Sequence, residues 1–428
     1  MSELVILNIV GFGVAILLLF FVTHQAGSGS TFAHLFSALW GPCILAAQFL
    51  TTSTTALSVK TLLVLFAAWW ALLAGSLLTI KRRPASAPRE VSIYRRRALA
   101  AVLLLFSLHA TLVVYEMPRV DLKQPTDRFV RTLRNADELS GLRKCPWWLE
   151  IFRGAYFVYL PLALMLRKRG WLSSRAFYIL ILAASLLLLT HMTRVPLLAV
   201  VVTLWCSWAL LNRPSTLRAW GVLLGGFAAF CAVFLMIQTA LASGQTRKSE
   251  GVQLVEAYFG GSMQAYESIL DGTFPREPGY YSADMFNYAL RKVNLMDSYP
   301  SIVRPYGNYN TNIYTFLDAF TLDGGIFGAI LGATLVGVAG GWLLTKASRY
   351  QNPMMVTAYS MFALAMADAI ANNDFIRINF VLTIILCAIV NRYVVRRRGS
   401  RSVVFIPPSR YLSQDRRSLT AVASGISK

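Results

Sequence analysis

The chain has 428 residues, of which 56% are hydrophobic and only 14% charged, against about 25% charged in an ordinary soluble domain. A chain this apolar is not a string of soluble domains. Its net charge of +21 would point to nucleic acid in a soluble protein. Here Lys and Arg gather between long apolar runs, the distribution of a membrane protein, so no nucleic-acid partner is expected.

In chain order, the runs Met1 to Thr23, Thr31 to Thr51 and Thr61 to Ile80 each approach or exceed the ~20 residues that cross a bilayer as a helix. The first lacks a basic leading region and a small-residue cleavage site, so it reads as a retained helix rather than a signal peptide. Further runs follow at 98–116, 150–167, 175–192, 195–212, 218–241, 325–345, 354–372 and 376–393. The expected fold is all-α: a polytopic integral membrane protein with about 11 transmembrane helices in a single domain over 1–398, followed by a basic tail at 399–428 that reads as disordered. A short apolar stretch at 313–322 reads as a re-entrant or interfacial piece leading into the ninth helix.

Taking the side of the C-terminal tail as inside, the loops 81–97, 167–175, 212–218 and 346–353 and the tail from 392 hold 24 of the 41 basic residues. Short basic loops fix orientation, whereas long translocated loops tolerate charge. The early loops 24–30 and 52–60 contribute only Lys60, so they orient the first two helices least. Two outside segments are too long to be simple connectors. The first, 117–149, carries seven basic residues against four acidic ones. The second, 242–312, is broken by Gly260, Gly261, Gly272, Gly279 and four prolines, with amphipathic helices expected around Gln253–Leu270 and Ser282–Val293. Cys43, Cys145, Cys206, Cys231 and Cys387 form no CxxC pair, which argues against a disulfide framework or zinc site.

Phosphate-cradling glycine loops, HExxH, DxD and carboxylate pairs with metal spacing are all missing from the sequence. An ATP-driven pump or a nucleotide-sugar enzyme is therefore not expected, nor is a metal or cofactor. What stands out is arginine on the outer side: Arg153 opening the fifth helix, Arg194 in the turn between the sixth and seventh, and Arg377 opening the eleventh. A charge at membrane depth is costly and usually faces a polar cavity or a partner. Any one of the three could simply snorkel to lipid phosphate. Three together beside a basic loop favour an anion-binding cavity, and the planar guanidinium suits phosphate. His191, three residues before Arg194, shares its face if the helix continues that far.

A second feature runs from Arg304 to Phe316, where Tyr306, Asn308, Tyr309, Asn310, Asn312 and Tyr314 crowd a membrane entrance. Aromatic faces with amide donors hold sugar rings; an interfacial aromatic belt explains the tyrosines but not the asparagines. Asp318 and Asp323 follow. Either could act as a general base, and Asp323 reads better as the cap of the ninth helix beside Gly324-Gly325.

Three stretches resemble the Wzy-type O-antigen and oligosaccharide repeat-unit polymerases of bacterial inner membranes. They are Leu187-Leu-Leu-Thr-His-Met-Thr-Arg194, Tyr258-Phe-Gly-Gly-Ser-Met-Gln-Ala-Tyr266, and Asn310-Thr-Asn-Ile-Tyr-Thr-Phe316 with Asp323-Gly-Gly-Ile-Phe-Gly328. Val195 stands where small residues often follow the arginine in that family. The resemblance implies a membrane glycosyltransferase that moves a growing glycan from undecaprenyl diphosphate onto the next lipid-linked repeat unit. The reaction takes place at the periplasmic face, with inversion and without a metal, and a chain-length-regulating membrane copolymerase is a possible partner. Arg194, Arg153 and Arg377 would stabilise the leaving diphosphate. Arg131 and Arg134 would attract or hold the anionic substrate. Tyr306, Asn308, Asn310, Asn312, Tyr314 and His191 would hold sugars, and Asp318 or Asp374 would serve as general base. An O-antigen ligase shares this architecture and donor. A lipid-linked oligosaccharide transporter or flippase would need polar residues along the middles of the helices, which here are mostly apolar.

Overall fold

The computed structural model describes residues 2–29, 31–49, 57–81, 91–116, 149, 151–189, 194–242, 261–271, 315–369 and 378–396. The helices are α1 (Ser2–Ala26), α2 (Phe32–Phe49), α3 (Val59–Thr79), α4 (Arg95–Glu116), α5 (Tyr156–Lys168) and α6 (Ser174–Leu189). They continue with α7 (Arg194–Asn212), α8 (Thr216–Ala242), α9 (Gly261–Leu270), α10 (Leu317–Tyr350), α11 (Pro353–Asp368) and α12 (Ile378–Val394). Extended pairing among the described residues is limited to one antiparallel bridge, Ile93 with Val395. The chain divides into two units, Met1–Val395 and Arg396–Lys428; the helices all belong to the first.

Among the described residues, four helices are long and apolar enough to cross a membrane: Glu3–Ala26, Val59–Thr79, Arg95–Tyr115 and Leu317–Tyr350. The described parts of α2, α6, α7 and α12 are apolar but shorter. The exposed surface is apolar too, with Ile9, Ile16 and Phe20 on α1, Leu103 and Leu104 on α4, and Ile179 and Leu182 on α6 all standing out of the core. Water does not favour such faces; lipid does.

The helix ends are built from local chemistry. Ser58 caps α3 by accepting the Thr61 N–H, and Asn352 caps α11 by accepting that of Met354, with Pro353 in the first turn where no N–H is needed. Tight helix pairing comes from small residues. Any side chain at Gly75 of α3 would strike the Thr334 carbonyl of α10, and one at Gly337 would strike that of Leu72. The two backbones touch at these points, as small residues allow within a membrane.

The segment before the ninth expected span differs from a simple lead-in. Leu317 to Gly324 is helical, Gly325 adopts φ 62° and ψ −151°, and the helix resumes beyond it. In a straight helix Phe320 and Gly328 would lie about 12 Å apart. Here a side chain at Gly328 would collide with the Phe320 carbonyl, and one at Gly332 with the Phe320 ring. Residues 317–324 therefore fold back along the long arm of α10. Asp323 lies inside this fold-back, ahead of the Gly325 reversal, rather than at the start of a fresh helix. The helix expected around Gln253–Leu270 is described as α9, Gly261–Leu270, and the one around Ser282–Val293 lies outside the described residues.

Cross-contacts sort the helix ends into two sets. At one, Gly29 meets Thr216 and Trp220, the Lys81 N–H meets Thr345, and Arg169 reaches the Val91 carbonyl. There too Lys168 reaches Leu211 and Gln351, Arg213 reaches Ser348, and the Tyr94 N–H meets the Val394 carbonyl. At the other, Ser58 and Lys60 meet α9, the Phe316 N–H meets the Ala369 carbonyl, and Gly154 abuts Thr383. Among the described residues of the helical unit, the first end carries thirteen Lys and Arg and no carboxylate. The second carries all seven described carboxylates with Lys60, Arg153 and Arg194.

Candidate functional site at the carboxylate-bearing end

The candidate residues that are described fall at this second end. Arg153 is exposed in the 3-10 turn Ile151–Gly154 that leads into α5. Gly154 seats that turn against α12, because any side chain there would collide with Thr383. Arg194 is the first residue of α7. Helices α5, α7 and α11 each pack on the other two, and α12 packs on α5 and α11. The heads of α5 and α7, the tail of α11 and the head of α12 thus meet at one end, with buried Asp368 closing α11.

Asp318, in the first turn of α10, is 2% exposed. It accepts a hydrogen bond from the Thr315 hydroxyl, while its own N–H donates to the Thr315 carbonyl at 3.2 Å. These two bonds tie Asp318 to Thr315 across the turn that enters the fold-back, although the helix itself, with Phe316 at its N-cap, has no side-chain cap. One turn on, the Thr321 hydroxyl donates to the Leu317 carbonyl at 2.9 Å. A hydroxyl has one proton to give, so the 2.8 Å contact between Thr321 and Tyr266 has the phenol as donor. Burial pushes the Tyr266 phenol up, and the negative charge of nearby Asp318 adds to the rise.

Helix α9 is held over this cluster from outside. Glu267 accepts the Ser58 N–H at 2.7 Å and the Thr61 hydroxyl at 3.3 Å, and Lys60 donates to the Leu270 carbonyl and pairs with Asp271 at 3.7 Å. Ser262, one turn before Tyr266 and on the same face, is buried with no partner for its hydroxyl. Trp40, stacked on Phe36 and edge-on to Phe316, has an orphan indole N–H in the core beneath. Buried polar groups without partners are uncommon.

A second buried polar cluster lies below Arg153. His109 of α4 is 1% exposed, its Nδ1 is 3.2 Å from the Tyr159 hydroxyl, and its ring lies 5.6 Å from that of Tyr156. Sequence reading passed over His109 and Thr321 and gave Ser262 and Tyr266 no role beyond their stretch. A histidine inside an apolar run was the one available signal.

His191, Arg377, Asp374, Arg131, Arg134, Tyr306, Asn308, Asn310, Asn312 and Tyr314 lie outside the described residues, as does the side chain of Arg194. Among the described residues no group of His, Cys, Asp or Glu is arranged to hold a metal ion. No protein-family model, curated protein or solved structure matches this chain.

Proposed function

We propose that the chain polymerises lipid-linked oligosaccharide repeat units, as its resemblance to Wzy-type polymerases implies. The growing glycan moves from undecaprenyl diphosphate to the next lipid-linked unit. On this reading about 11 helices cross a bacterial inner membrane, the loops 117–149 and 242–312 are periplasmic, and the carboxylate-bearing end faces the periplasm. The observation that supports the reading is the company of Arg153 and Arg194. Thirteen of the sixteen described cations of the helical unit stand at the opposite end, whereas these two stand before α5 and at the head of α7, at the end that carries the described carboxylates.

The chemistry asked of that end is electrostatic. An acceptor hydroxyl attacks the anomeric carbon, the bond to the diphosphate oxygen breaks, and the departing diphosphate gains negative charge. Fixed cations at that point stabilise the transition state more than the ground state. Arg153, Arg194 and Arg377 take this role, while Arg131 and Arg134 gather the anionic substrate. Asp318 or Asp374 accepts the hydroxyl proton, and the Tyr306–Tyr314 stretch holds the sugars.

The test is the length-resolved glycan profile of cells lacking the gene, complemented with wild type, Arg153→Ala or Arg194→Ala. The expected result is loss of long chains with a single repeat unit left, restored by wild type. Each variant should lower polymerisation about 10²–10³-fold at unchanged protein level. Polymer that accumulates on the lipid carrier without reaching the surface would replace polymerase with ligase or transport. Wild-type chain lengths in Arg194→Ala would remove that residue from the reaction.

A further inference from the structure

We infer that the cationic end is a binding surface for anionic phospholipid headgroups, with its main seat where the head of α4 meets the tail of α12. The inference rests on the charge and geometry of that end and is independent of the reaction proposed above.

Thirteen cations with no carboxylate among the described residues repel one another, and anions brought to this end relieve that repulsion. The opposite end satisfies its cation at Lys60 with Asp271. The seat itself is built by backbone. The Ile93–Val395 bridge and the 2.9 Å bond from the Tyr94 N–H to the Val394 carbonyl tie the two helix ends together. That places Arg95, Arg96 and Arg97, all exposed, beside Arg392 and Tyr393. The Arg97 guanidinium lies 4.5 Å from the Tyr94 ring centre and 5.5 Å from that of Tyr393. One guanidinium N–H donates to the Tyr393 carbonyl at 3.5 Å, so the group is held against the two phenols and its remaining N–H donors are left for phosphate contact.

The same device recurs around this end. Arg167 lies over Phe177 and Tyr178, Arg169 over Trp171, and Lys346 over Trp342 and Tyr350. Tyrosine and tryptophan gather at the headgroup level of a bilayer. Cations propped on such rings, next to lipid-facing Leu103, Leu104 and Ile389, sit where lipid phosphates are. A soluble polyanion would find the cations but would have no use for the apolar belt directly beside them.

The probe is short-chain phosphatidylglycerol titrated into the detergent-solubilised full chain, with phosphatidylcholine of the same chain length as control. Phosphatidylglycerol should raise the unfolding temperature, phosphatidylcholine should not, and high salt should remove the difference. Arg95→Gln, Arg96→Gln and Arg97→Gln combined should raise the half-saturating phosphatidylglycerol concentration roughly 100-fold, at about a kilocalorie per cation and a tenfold change per 1.4 kcal/mol. Lys60→Gln, at the other end, should leave it unchanged. Equal stabilisation by the two lipids overturns the inference, and this comparison stands on the wild type even if the triple variant fails to fold. So does wild-type affinity in a folded triple variant, or tighter binding of heparin than of phosphatidylglycerol.

Discussion

Tyr266 is the residue through which α9, the fold-back and Asp318 sense one another. Its phenol gives its proton to Thr321, which has already given its own to Leu317. Tyr266→Phe therefore removes a buried bond while leaving the Thr321 proton satisfied, and should cost about 1 kcal/mol, read as a lower unfolding temperature. The pH dependence has a definite sign. The folded phenol is raised above its ordinary value of about 10, so its contribution to stability is complete below that pH and is lost as pH rises through the folded value. Unfolding temperatures followed from about pH 8 to about pH 11 should fall less steeply in Tyr266→Phe than in wild type. Asp318→Asn separates two roles for its neighbour. If Asp318 takes the acceptor proton, the variant loses turnover at wild-type stability. If it serves only to close the turn with Thr315, stability falls and polymer persists. Arg153 and Arg194 were legible in the sequence because arginine in an apolar run is conspicuous. The Tyr266–Thr321 pair was not, since no local pattern joins residues 55 apart.

The fold-back of α10 turns on one conformation. Gly325 at φ 62° and ψ −151° occupies a region essentially closed to residues with a Cβ. The reversal lets the Phe320 ring lie on Gly332 and brings Thr321 and Asp318 beneath α9. Gly325→Ala should cost about 1–3 kcal/mol if the fold-back persists. Should the segment straighten instead, the Tyr266–Thr321 bond breaks and α9 loses its seat. Limited proteolysis near 261–271 would detect that as new cleavage absent from wild type. Segment positions were readable because apolar runs of about 20 residues are long signals. Helices lie on each of the segments read this way, yet the reversal was invisible. A stretch as short as 313–322 carries no direction, and Gly324-Gly325 reads equally well as a cap or as a hinge.

At the scale of the molecule, charge and contacts give one arrangement. The sequence left the first two helices least constrained, because their loops carry only Lys60. In the structure the turn after α1 belongs to the cationic end, since Thr216 and Trp220 bond to Gly29, and Lys60 belongs to the other with α9. Thirteen cations held on one side of a membrane strongly favour the cytoplasmic face, so the two ends should open to different compartments. The chain suits a labelling test, because Cys43, Cys206 and Cys387 are buried within helices. With Cys145 and Cys231 replaced by serine, single cysteines at His24, Lys81 and Lys60 probe exposed positions at known ends. A membrane-impermeant maleimide added to intact cells should label Lys60→Cys and spare His24→Cys and Lys81→Cys until the membrane is opened. The informative comparison is His24 against Lys81. These two sit on either side of the α2–α3 hairpin, so joint protection requires that hairpin to cross and return. Labelling of His24→Cys alongside Lys60→Cys would mean that α1 and α2 lie otherwise in the membrane, and the Gly29 contacts with α8 would then have to be wrong.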